Sequence, residues 1–136
     1  MKLHDPFFIA SNLNPAVRVG GATISIWPSE TPSGYDRFGK PCWAYEIQLP
    51  NGERHEGHDL FGWEETQGMM ATLLSFIGAC AESRQRRERM GETEIDPDDN
   101  EGLFPPAVAE WAAQNSDEIA CLRCEIEETK NLIEED

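Results

Sequence analysis

Acidic side chains are the chemically capable groups this sequence supplies in quantity. Glu110, Asp117, Glu118, Glu125, Glu127, Glu128, Glu134 and Glu135 crowd the C-terminal segment, and Asp136 follows them. Carboxylates do two kinds of work. As a close pair with one raised pKa they move protons, which requires a pocket. As a dense exposed field they attract cations and basic surfaces. A helix rises about 1.5 Å per residue, so carboxylates at this density approach the charge spacing of a nucleic-acid backbone. Acids distributed over exposed helix positions predict the second use. These eight residues are the expected contacts for a basic, nucleic-acid-binding partner protein, with Glu125, Glu127, Glu128, Glu134 and Glu135 foremost. Solvation of a helix face is the other use of the same charges.

The remaining constellations point to no reaction. Cys121-Leu-Arg-Cys124 is a CxxC, but zinc ribbons need a second pair or histidines, and thioredoxin-like sites need a strand before the motif. Here it falls inside a predicted helix, so two surface thiols are expected. His55-Glu-Gly-His58 lacks the HExxH spacing, and on a strand the two histidines face opposite ways. His58 is expected to pack on Tyr45, and His4 has no assigned place. Asp96, Asp98 and Asn100 imitate the start of a calcium loop, but Glu101 stands where glycine is required and Ala107 where the bidentate glutamate is required. Arg84, Arg86, Arg87 and Arg89 end a predicted helix, where the helix dipole favours cations; pairing with the acidic arm is their other expected use. Cys80 falls on an apolar helix stripe, where thiols are usually inert. There is no glycine-rich phosphate loop or nucleophile elbow. No catalytic residue, metal or cofactor is expected.

Charge and composition set the outer bounds. The 136 residues fit about one domain, with 39% apolar residues and a net charge of -15. Residues 1–90 carry 9 Lys plus Arg against 11 acids, whereas residues 91–136 carry only Arg123 and Lys130 against 15. A chain this acidic is a poor ligand for phosphate backbones or anionic lipid and a good one for their basic binders. Asp5 and Pro6 break any signal-peptide core, and the longest nearly apolar run, Met69 to Ala81, is short of the roughly 20 residues a membrane span requires. A cytoplasmic protein with its four cysteines reduced is the expectation.

These groups need elements to hold them. Val17 to Trp27 alternates around Gly20-Gly21, a hairpin signal. Pro28 to Lys40 reads as a loop. Cys42 to Leu49 is the clearest strand, placing Trp43, Tyr45, Ile47 and Leu49 on one face. Asn51-Gly52 turns the chain back, and a two-residue turn sets Trp43 opposite Leu60 and Tyr45 opposite His58. From Glu65 to Met90 the period becomes helical, with Met69, Leu73, Phe76, Ile77 and Cys80 on one stripe, widened by Met70, Leu74 and Ala81. The arginine-rich end is expected to project. Residues 91–104 form an acidic linker. Residues 105–136 form a helical arm with a 3-4 seam through Pro105, Val108, Ala112, Asn115, Ile119, Leu122, Ile126, Thr129 and Ile133. Asn115 and Glu118 have capping-box spacing. Ile119, Leu122, Ile126 and Ile133 are expected to fold back on the body or to pair with a second copy. Trp111, one position off the seam, is a candidate anchor.

The stretches Trp43-Ala-Tyr-Glu-Ile-Gln-Leu-Pro-Asn-Gly, Gly57-His-Asp-Leu-Phe-Gly and Leu73-Leu-Ser-Phe-Ile-Gly-Ala-Cys-Ala-Glu-Ser83 resemble small proteins of phages and plasmids. The whole chain resembles, in type, small acidic anti-defence proteins such as anti-CRISPRs. That resemblance implies a little sheet joined to helices. It also implies a non-enzymatic inhibitor that blocks a nucleic-acid-binding site of a host defence complex. The fold expected is therefore α+β: about four antiparallel strands packed by one long helix (residues 1–90), then the linker and the helical C-terminal arm. A homodimeric interaction module, with acids that only solvate it, is the alternative.

Overall fold

A computed structural model describes residues 9–11, 14–28, 42–62, 66–92 and 100–134. Five strands run β1 (Ile9–Ser11), β2 (Asn14–Val19), β3 (Ala22–Pro28), β4 (Cys42–Gln48) and β5 (Arg54–Phe61). They form one antiparallel sheet in chain order, so every described connection within it joins neighbours. Helix α1 (Thr66–Arg89) follows, then a single 3-10 turn (Asn100–Leu103), α2 (Pro106–Gln114) and α3 (Ser116–Glu134). The architecture is α+β. The four principal strands are those the alternation predicts, and short β1 extends the sheet at one edge.

The turns are built by glycines with left-handed backbones. Gly20 and Gly21, at φ 55° and 78°, make the β2–β3 turn that two consecutive positive φ values require. At the β4–β5 turn Gly52 has φ 93°, and its N–H donates to Leu49 O at 2.9 Å. Leu49 N–H donates across to Glu53 O at 2.8 Å, so the loop is Pro50-Asn51-Gly52 and not Asn51-Gly52 alone. Three residues, with the last left-handed, is the next hairpin type after the two-residue turn.

That extra residue changes the register. Ile47 pairs with His55 and Tyr45 with Gly57, one step off the spacing a two-residue turn gives. A bulge between Trp43 and Tyr45 then restores Trp43 opposite Leu60. The Tyr45–His58 contact expected from sequence is therefore replaced by Tyr45 over Gly57. A Cβ on Gly57 would collide with the Tyr45 ring, so the glycine is what lets the ring lie across the strand.

One hydrophobic cluster joins sheet and helices. It takes Val17, Ile24, Ile26, Trp43, Ile47 and Leu60 from the sheet, Met69, Leu73, Leu74 and Ile77 from α1, and Val108, Trp111, Ile119, Leu122 and Ile126 from α2 and α3. Burying each large aliphatic side chain contributes about 1.5–3 kcal/mol. The 3-4 seam of the arm thus packs within the chain, with Ile119, Leu122 and Ile126 all buried. The side chains of Thr129 and Ile133 lie outside the described residues. In α1 the predicted stripe is buried except at Phe76, which is 44% exposed.

The end of α1 does not project. Ser83 is buried, Gln85 donates to Ala113 O at 3.0 Å and Ser116 Oγ at 3.1 Å, and Arg87 reaches the 3-10 turn. No helix among the described residues is long and apolar enough to cross a membrane.

Candidate functional site

Two surfaces gather groups capable of recognition: the outer faces of α2 and α3, and a cleft between β5 and α1.

The geometry of α3 follows from its buried stripe. Ile119, Leu122 and Ile126 turn one face inward. At about 100° per residue, Asp117 and Glu128 then lie opposite that face, Glu118 and Glu125 along one flank, and Glu127 on the other. All five are exposed, as is Glu110 on α2. The acids wrap the helix; they do not form a single row. Glu135 and the side chain of Glu134 lie outside the described residues.

Glu118 already has a task. Its Oε2 accepts the Gly20 N–H at 2.7 Å. Beside it the Trp111 indole N–H donates to Gly20 O at 2.9 Å. Both backbone polar groups of Gly20 are thus held by the arm, and Trp111 is its anchor to the sheet. Asn115 does not make a capping box. Its side-chain amide donates to Trp111 O at 2.8 Å, its own N–H bonds Trp111 O and Ala112 O, and Glu118 reaches Gly20 instead. Asn115 also lies so close to Gly20 that a Cβ there would meet it at 2.6 Å.

Two of the arginines near the end of α1, Arg84 and Arg87, serve the linker. Arg87 Nε and one terminal nitrogen donate to the two oxygens of Glu101, at 2.7 and 2.8 Å. Arg84 approaches the same carboxylate at 3.8 Å and also pairs with Glu88 at 2.9 Å. Glu101 is only 2% exposed. A bidentate fork is the strongest form of this pair, and a carboxylate so deeply buried needs it. The hydrogen bonds that Arg87 donates to Glu101 push the Arg87 pKa up still further. Sequence reading placed Glu101 in a charged linker and missed this role. The calcium-like stretch upstream, with Asp96 and Asp98, lies outside the described residues.

The cleft holds about 450 Å³ and is lined by Tyr45, His55, Gly57, Leu60, Leu73, Phe76, Leu103 and Phe104, among others. Tyr45, His55 and Phe104 meet edge to face, with ring centroids 5.8 to 6.1 Å apart. Tyr45 Oη lies 3.4 Å from His55 Nε2. Burial lowers the His55 pKa, favouring the neutral ring. His58, expected against Tyr45, is exposed. No periodicity in the sequence marks this cleft, because its walls come from β4, β5, α1 and the 3-10 turn.

Cys121 and Cys124 are exposed thiols on α3, Cys42 and Cys80 are buried thiols, and none of the four is in a disulfide. Among the described residues no three of His, Cys, Asp or Glu come together as metal ligands. His4 lies outside the described residues. No protein-family model, no curated protein and no solved structure matches the chain, so its surfaces must be read from their own chemistry.

Proposed function

We propose that the protein is a non-enzymatic inhibitor whose acidic helical face occupies a basic, nucleic-acid-binding surface of another macromolecule. One observation supports this above the others. Asp117, Glu127 and Glu128 stay on the surface of a helix seated by its opposite face, while Arg84 and Arg87 are directed to Glu101. Such a field repels itself, and a cationic partner offsets that cost. The resemblance to anti-CRISPR-type proteins makes a host defence complex the class of target. Charge pairing of this kind chiefly raises the association rate and weakens with salt.

A pull-down from bacterial lysate at low and high salt tests the reading. The expected result is a nucleic-acid-binding partner, retained at low salt, released at high salt and displaced by heparin. Reversing Glu125, Glu127 and Glu128 to lysine is expected to abolish capture. A variant that still blocks nucleic-acid binding by the captured partner removes α3 from the mechanism.

A further inference from the structure

The cleft beside β5 lies apart from the acidic helix and has a chemistry of its own. Leu60 and Leu73 give it an apolar lining, and the Tyr45–His55–Phe104 cluster forms an aromatic corner. At its mouth stand Phe76, 44% exposed, and Leu103, 50% exposed. Single exposed apolar residues are ordinary; here two flank the opening of one cleft, where the apolar body of a ligand would cover both. Its volume of about 450 Å³ falls in the range that small organic ligands occupy.

The charges select the ligand. No lysine or arginine is among the described residues that line the cleft. Arg54, on β5 itself, points to the other face of the sheet, where it meets Glu46 at 3.6 Å. Arg84 and Arg87 are committed to Glu101. An anion entering here finds no countercharge, and the whole chain, at -15, repels it. A cation is drawn in by the same field and meets aromatic rings, which attract positive charge over their faces. Tyr45 Oη and His55 Nε2 lie 3.4 Å apart and share a hydrogen bond, a polar pair at the aromatic corner toward which a ligand N–H can be directed.

We propose that the cleft between β5, α1 and the 3-10 turn binds an organic cation with a flat apolar body, an aromatic amine in its ammonium form. The ring lies against Phe76 and Leu103, and the ammonium is directed toward the Tyr45–His55 corner. This site does not depend on the acidic helix, because no described residue of α3 lines it.

Calorimetry and ligand-observed NMR on the full chain test this with tryptamine as the probe, in about 150 mM salt. Propylamine keeps the charge without the ring, and indole-3-acetate keeps the ring with the opposite charge. Tryptamine is expected to bind about tenfold or more tighter than either. Phe76→Ala is expected to weaken it about fivefold, within the range that aromatic ring pairs span, and Phe76→Arg to abolish it. Phe76 is half exposed, so both variants retain the fold, which circular dichroism checks. Equal binding of propylamine would assign the effect to the diffuse acidic surface and overturn the site. Equal binding of indole-3-acetate, no binding of tryptamine at millimolar concentration, or an unchanged affinity in Phe76→Ala would overturn it as well.

Discussion

Three residues carry roles that their types alone do not reveal. Gly57 has an ordinary strand backbone, yet it must be glycine because Tyr45 lies over it. Gly57→Ala is expected to cost about 1–3 kcal/mol through overpacking. A chemical denaturation curve measures it, and Tyr45→Leu in the same chain should recover part of the loss. His55 is held partly buried, and its pKa is lowered. The unfolded chain, with a histidine pKa of about 6.5, therefore takes up the proton more readily than the folded one. Stability is full above that value, falls as pH drops below it, and levels off beneath the folded pKa. His55→Gln is expected to flatten the slope of the urea midpoint between about pH 7 and 5, relative to the native chain. An identical slope in both proteins would show that His55 is not the titrating group. Glu101 is the third. Glu101→Gln keeps the shape but removes the charge that holds Arg84 and Arg87, and the thermal midpoint is expected to fall by several degrees.

At the scale of elements, α3 is both part of the core and the outer acidic face. Its buried stripe spans Ile119 to Ile126, and its N-terminal end grips the β2–β3 turn through Glu118. Ile126→Ala is expected to cost about 2–5 kcal/mol, as a large-to-small core change does. The same substitution tests the arm as a seated element: if α3 were a free extension, the melting curve would not move. Much of this element was legible beforehand. The 3-4 spacing names the residues that are buried, and Trp111 was identifiable as a candidate anchor. The capping box at Asn115 was not realised, because Glu118 finds a backbone N–H 98 residues away instead of the nearby one. The β4–β5 register missed by one step near the turn for a similar reason. A dipeptide such as Asn51-Gly52 signals that a hairpin turns, but the number of residues in the loop depends on the hydrogen bonds that close it.

At the scale of the whole molecule, charge is the dominant property. With 26 acids against 11 Lys plus Arg, the folded chain brings like charges together. Moderate salt is expected to raise the thermal midpoint by screening that repulsion while weakening capture by a basic partner. The two responses have opposite signs, and measuring both separates the partner's electrostatics from the protein's own. A midpoint that falls with added salt would mean that attractive pairs, such as those at Glu101, outweigh the repulsion.

Amino-acid order alone determined the α+β class, the strands around Gly20-Gly21 and Asn51-Gly52, the long helix and the acidic C-terminal face. Each is written in periods of two or 3.6 residues, in turn chemistry, or in net charge, all of which act between near neighbours in the chain. Folding decided the rest: the bulged β4–β5 register, the fork from Arg87 to Glu101, the seating of α3 on the common core, and the aromatic cleft. Those features depend on which distant segments touch. Such contacts arise when several elements bury their apolar faces at once, and no local pattern encodes the neighbours that result.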